Sequence, residues 1–214
     1  MPTFVKDDRA LLFVHVPKTG GTTVESMLKD AGWSMGFWSR LQDEPKGQTR
    51  LRTCSPQHYH AALLRQVVRI ARFDHIAVIV RHPEARFRSE FAWAHRNKPE
   101  VAGDEKTVEE WARRVTTNYA KDHFLRDNHI RPQAEFVLPG SAVFKFEDGL
   151  ADVIAKMNAN WDLGLAATVP HEKNSGTKGA ISSRDVVLND ATRALVREFY
   201  AADFEAFGYE GDAP

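Results

Sequence analysis

Short apolar runs of strand length alternate along this chain with stretches whose apolar residues recur at helical spacing. Residues 11–16, Leu-Leu-Phe-Val-His-Val, form a partly β-branched run that predicts a buried strand. After Pro17 and the Gly20-Gly21 pair, Val24, Met27, Leu28 and Ala31 fall at i, i+3, i+4 and i+7, the core face of a helix. The first unit is therefore strand, glycine loop, helix. Residues 33–52 are polar and irregular, with Pro45 and Gly47, and predict a surface loop. Residues 61–71 have helical period, and residues 76–80, Ile-Ala-Val-Ile-Val, form a second apolar strand. That strand runs into Arg81-His82-Pro83, and a proline suits the first turn of a helix reaching about residue 97.

Thr107 and Glu110 have the spacing of a capping box for a helix through about residue 124. Residues 142–146 predict a third strand, followed by a helix over 150–160. Ser182 and Asp185 are candidate caps for a last helix carrying Val187, Ala191, Leu195 and Phe199 on one face. Strands alternating with helices predict an α/β fold, with a central, mainly parallel sheet flanked by helices in three layers. Such sheets bind ligands at the carboxyl ends of their strands, where residues 17–23 and 81–89 both begin. The length of 214 residues suits one domain over 1–214.

Composition narrows the function classes. Lys plus Arg and Asp plus Glu each total 29, so the chain carries no net charge to draw it to nucleic acid or an anionic membrane; any anion site must be local. No apolar run approaches the ~20 residues of a transmembrane segment. Asp7, Asp8 and Arg9 precede the first apolar run, unlike a signal peptide. Cys54 is the one cysteine, which excludes an intrachain disulfide, and no catalytic-cysteine pattern surrounds it. These features suit a soluble, cytoplasmic protein and leave its oligomeric state open.

The candidate chemistry sits in Pro17-Lys18-Thr19-Gly20-Gly21-Thr22-Thr23. A loop from a strand into a helix N-terminus offers unpaired backbone N–H groups and the positive end of the helix dipole. Gly20 and Gly21 lack the Cβ atoms that would keep a phosphate off the backbone. Thr22 and Thr23 add hydroxyl donors, and Lys18 adds a mobile charge. The common nucleotide P-loop places its Lys after the last Gly; here Lys18 precedes both, which disfavours an ATPase or kinase.

With these residues the chain resembles the sulfotransferases that use 3′-phosphoadenosine-5′-phosphosulfate (PAPS). The likeness extends to the carbohydrate-type enzymes and their bacterial relatives, and it implies a P-loop-like fold. It implies that the 17–23 loop holds the donor's 5′-phosphosulfate and that Arg81 and Ser89, eight residues apart, bind its 3′-phosphate. Asn174 and Ser175, within His171-Glu172-Lys173-Asn174-Ser175, resemble a loop that closes over the nucleotide. Asn128-His129-Ile130-Arg131-Pro132-Gln133 is similar to a segment near the acceptor cleft, which makes His129, Arg131 and Gln133 candidate acceptor-binding residues.

The resemblance implies transfer of a sulfuryl group to a hydroxyl, with a carbohydrate the favoured acceptor. Lys18 would stabilise the leaving phosphate. The sulfuryl group carries less negative charge than a phosphoryl, so no metal is expected to bridge it, and no compact metal-ligand motif stands out. The Ser55-Pro56-Gln57-His58-Tyr59-His60 stretch resembles the place of a catalytic histidine, so His58 is the first candidate base and His60 the second. His15 is expected to be a hydrogen-bonded core residue, and Arg86 and Arg88 solvated helix charges. Trp33, Phe37, Trp38 and Trp93 could line an acceptor wall or pack the core. The rival readings are a P-loop-type small-molecule kinase and a non-catalytic PAPS-binding module.

Overall fold

The computed structural model describes residues 2–39, 52–170, 181–211 and 213. Among the described residues, five strands form one mixed sheet. They are β1 (Thr3–Lys6), β2 (Arg9–Val14), β3 (Ser34–Gly36), β4 (His75–Val80) and β5 (Ala142–Lys145), in the order β3-β1-β2-β4-β5. β2 pairs parallel to β4, with Phe13 opposite Ala77, and β4 pairs parallel to β5, with Ile79 opposite Phe144. β1 runs antiparallel to both β2 and β3.

The parallel core follows from the apolar runs. Along β2, Leu11 and Phe13 face one side of the sheet and Leu12 and Val14 the other, all four at 0% exposure. Leu11 and Phe13 join Ala77 and Ile79 against Val24, Met27 and Leu28 of α1 (Gly21–Asp30) and Val153, Ile154 and Met157 of α5 (Leu150–Trp161). Leu12 and Val14 join Ile76, Val78 and Val80 against Leu64 of α2 (Ala61–Val67) and Phe136. A strand buried on both faces must be apolar throughout, hence its unbroken run.

A second helical cluster stands beyond the carboxyl end of β4. It joins α3 (Pro83–Ala94), α4 (Glu105–Tyr119) and α6 (Asp190–Phe199), followed by α7 (Ala201–Phe207). Phe87 and Phe91 of α3 pack on Trp111 of α4, while Tyr200 closes the cluster from the end of α6. Glu84, in the first turn of α3, is fully buried and accepts from Arg193 at 2.8 Å and Arg197 at 3.0 Å on α6.

Several local expectations need correction. β3 lies inside the stretch expected to be a loop, and β1 was not anticipated; three or four residues carry too little periodicity to register. Asp104, not Thr107, caps α4: its carboxylate accepts from the Lys106 N–H and from the Thr107 hydroxyl. Asn189, not Ser182 or Asp185, caps α6 by accepting from the Thr192 N–H, and Val187 stands 41% exposed before that helix. No helix among the described residues is long and apolar enough to cross a membrane.

Candidate active site

β2 ends at Val14, and the 17–23 loop leads straight into α1 with Gly20 as its N-cap. Its conformation is built from two left-handed residues, Lys18 at φ 70° and Gly20 at φ 81°. The second suits glycine; the first is a strained position for a lysine, of a kind that clusters at functional sites. Thr19 turns inward at 1% exposure and donates its hydroxyl to the Val16 carbonyl at 2.9 Å. Thr22 remains exposed and Thr23 half-buried.

The glycines earn a different explanation from the expected one. A Cβ on Gly21 would fall 2.9 Å from the His15 ring, and one on Gly20 would fall 3.0 Å from the Phe146 ring. The space vacated on those sides is filled by protein. A ligand's approach is left to the backbone N–H groups of the helix N-terminus.

Two arginines from the β4–α3 segment brace the loop by its carbonyls. Arg81 donates to the Lys18 carbonyl at 3.4 Å and lies 4.6 Å from the centre of the Phe146 ring. Its own backbone is clamped by Gln133, whose amide accepts from the Arg81 N–H at 2.9 Å and donates to the Arg81 carbonyl at 2.7 Å. Arg86 is only 2% exposed, so the expectation of a solvated charge is corrected. It donates to the carbonyls of Pro17 at 3.1 Å, His129 at 2.7 Å and Arg131 at 2.9 Å. One guanidinium fork thereby joins the loop to the segment that carries His129.

Three histidines meet beside the loop. The His58 ring is 5.3 Å from that of His15 and 4.9 Å from that of His129. Each spends Nδ1 on a carboxylate: His15 on Glu25, His58 on Asp127 at 2.8 Å, and His129 on Glu90 at 2.6 Å. Burial holds His58 neutral, depressing its pKa far below the usual imidazole value; His129 and His15 add to the shift while the bond to Asp127 opposes it. Burial opposes ionisation of Glu90, but His129 and Arg126 overcome that and its pKa falls to about 2. Among the described residues, no three His, Cys, Asp or Glu side chains converge as a metal site would require.

The cluster closes back on the loop at both ends. His15 packs over Gly21, while the Trp93 ring lies 5.0 Å from His129 and 5.5 Å from the Lys18 ammonium. Trp93 therefore stands at the site, whereas Trp33 is buried in the sheet core and donates to the Leu163 carbonyl. Arg126, Asp127 and Asn128 all have positive φ, from 54° to 65°. That run costs roughly 1–2 kcal/mol per residue where Asp or Asn does not ease it. It is held by its side chains, Arg126 on Glu90 at 2.8 Å and Asn128 on the His58 carbonyl at 2.8 Å.

The remaining expected site residues divide. Ser89 is half-buried on α3, on the same segment as Arg81. His60 is the N-cap of α2, and its ring lies 5.8 Å from that of Phe124. Burial, then Arg131, lowers its pKa. Arg131 is 4% exposed and donates to Asn128, Glu135 and the His123 carbonyl; Gln133 is fully buried on Arg81. Both face inward as braces of the segment. Asn174 and Ser175 lie outside the described residues. Cys54 is buried, which pushes its thiol up to about 12 and leaves it no nucleophilic character at neutral pH. Glu25, Glu90, Arg126 and Asp127 complete the constellation without having been singled out for it, and Ser55 was named only as part of the 55–60 stretch.

A glycine loop opening a helix thus lies beside a buried, carboxylate-paired histidine. The profile of the sulfotransferase family matches residues 1–210, and the chain belongs to that family. No curated protein and no solved structure matches it.

Proposed function

We propose that residues 1–214 act as one PAPS-dependent sulfotransferase domain that moves a sulfuryl group to a hydroxyl, with a carbohydrate the favoured acceptor. The observation that carries this reading is the closed circuit of loop and base, in which His15 rests on Gly21, His58 lies between His15 and His129, and Trp93 returns from His129 to Lys18. A donor phosphate on the loop would thus stand beside a neutral imidazole.

The residues present fit such a donor. The loop amides with Lys18, Thr22 and Thr23 suit the 5′-phosphosulfate, and Arg81 with Ser89 suits a 3′-phosphate. Asn174 and Ser175 are retained as nucleotide contacts. When bound, PAPS supplies a sulfuryl group on a phosphate leaving group. Lys18 neutralises charge at that phosphate. His58, neutral through burial, takes the proton of the acceptor hydroxyl, and His60 is second in line. His129 and Trp93 border the space for the acceptor. Gln133 and Arg131 act by holding Arg81 and the 128–135 segment rather than by touching it. A cytoplasmic site of action suits a chain whose one cysteine is a buried thiol.

The test is release of 3′-phosphoadenosine-5′-phosphate (PAP) from PAPS, measured with sugar, phenol and aliphatic hydroxyl acceptors in the presence of a chelator. Acceptor-dependent release that survives chelation supports the reading. Abolition by the chelator, restored by Mg²⁺, contradicts the metal-independent mechanism.

A further inference from the structure

Asp127 belongs to no motif, and it is 69 residues from the histidine it touches. Its carboxylate is shared among three groups. One oxygen accepts from the Ser55 backbone N–H at 2.6 Å. The other accepts from the Ser55 hydroxyl at 2.5 Å and lies 2.8 Å from His58 Nδ1. The Ser55 hydroxyl also stands 3.2 Å from that nitrogen, but its proton is committed to the shorter bond with the carboxylate. His58 Nδ1 thus faces oxygen lone pairs, and only a protonated Nδ1 satisfies them. The imidazole's other nitrogen, Nε2, then carries the lone pair.

We propose that Asp127 is a positioning residue: anchored by both the N–H and the hydroxyl of Ser55, it fixes His58 in the tautomer that leaves Nε2 able to take the acceptor's proton. This rests on the reading of His58 as base. The left-handed backbone at Asp127, φ 60°, turns its side chain back toward Ser55, and the bonds of Arg126 and Asn128 on either side hold that turn in place. The two residues the arrangement needs, Ser55 and His58, are the N-cap and the last residue of a one-turn 3₁₀ segment, Pro56–His58, which sets their spacing.

Asp127→Asn is a sharp perturbation. Asparagine tolerates a left-handed backbone as well as aspartate does. The Ser55 N–H can only donate, so the amide oxygen must take the position facing it. The amide nitrogen is then directed at His58 Nδ1, where it donates. The ring must accept at Nδ1 and move its proton to Nε2, which removes the base without removing the histidine.

The charged and titratable groups around His58 are Asp127, His15 with its partner Glu25, and His129 with its partner Glu90. Of these, Asp127 raises the His58 pKa and the two histidines lower it. Loss of the anion therefore moves the acid limb of the turnover profile to still lower pH. A variant that merely loosened the site would admit water and move it up, toward the ordinary value.

The experiment is ¹⁵N NMR of the histidine rings in the uniformly labelled chain, with His58 assigned by its loss in His58→Ala. The wild type is expected to show a protonated Nδ1 and a bare Nε2 at about pH 7.5. Asp127→Asn is expected to show the reverse, with turnover down ~10²–10⁴ and affinity for PAP within about twofold of wild type. A wild-type His58 protonated on Nε2 overturns the proposal, and this spectrum needs no variant to fold. An unchanged tautomer in Asp127→Asn also overturns it while leaving His58 as base. A reversed tautomer with undiminished turnover overturns the reading of His58 as base together with the role of Asp127.

Discussion

Arg86→Ala tests the join between the 17–23 loop and the histidine cluster. The guanidinium is buried at 2% exposure and donates to three backbone carbonyls, those of Pro17, His129 and Arg131, at 2.7–3.1 Å. A hydrogen bond from a charged group contributes roughly 1.5–3 kcal/mol, so three would sum to several times that if they were independent. They are not independent, since one rigid fork makes all three, and the space vacated would admit water to the stranded carbonyls. Breaking a buried charged contact typically costs about 3–5 kcal/mol, and that is the loss expected here. Against total stabilities of roughly 5–15 kcal/mol it is a large fraction. Urea denaturation followed by tryptophan fluorescence measures it. Arg86→Lys should recover little, because an ammonium cannot span three acceptors in that geometry. PAP affinity should fall as well, since Pro17 loses its support. A loss below about 1 kcal/mol, as for an exposed helix charge, would refute the reasoning.

Arg81→Ala should weaken binding of PAP far more than of the same nucleotide lacking its 3′-phosphate, because a charge-assisted contact contributes roughly 1.5–3 kcal/mol only when its partner is present; equal calorimetric losses would reject the assignment. Gly21→Ala places a methyl 2.9 Å from the His15 ring. The ring must shift from Glu25, so stability should drop by ~1–3 kcal/mol and PAP affinity with it; an unaltered denaturation midpoint would show a more pliable loop. His58→Ala should leave PAP affinity nearly unchanged while turnover falls ~10²–10⁴, and His60→Ala should cost far less. Because burial depresses the His58 pKa, the wild-type rate should rise with pH in a window well below the ordinary imidazole value and be level by neutrality. A dominant effect of His60→Ala, or a rise centred above that value, would move the base elsewhere.

What could be read in the sequence is what depends on near neighbours in the chain. The parallel strands were legible because burial on both faces demands unbroken apolar runs, as in β2 and β4. The 17–23 loop was legible because strand, glycines and helix follow one another directly. His58 and Arg81 came with the family resemblance. The partners that give these residues their chemistry were not legible, since they are tertiary: Asp127 is 69 residues from His58, and Glu90 is 39 from His129. Arg86 has the pattern of a surface helix charge, and only the packing of the 17–23 loop and the 129–131 segment around it makes it internal. Gln133 and Arg131 lie in a suggestive segment, yet their hydrogen bonds turn them into its scaffold. The packing around the loop glycines was not legible for the same reason, because the His15 and Phe146 rings that a Cβ would meet arrive from elsewhere in the fold.

The central claim, that the loop and Arg81 form a site for a 3′-phosphorylated adenosine donor, is tested most directly by calorimetric titration of the wild-type chain with PAP and, separately, with ATP–Mg²⁺. Saturable PAP binding that persists in a chelator is expected, with ATP–Mg²⁺ binding weakly or not at all. Saturable binding of ATP–Mg²⁺ with no heat from PAP would contradict it.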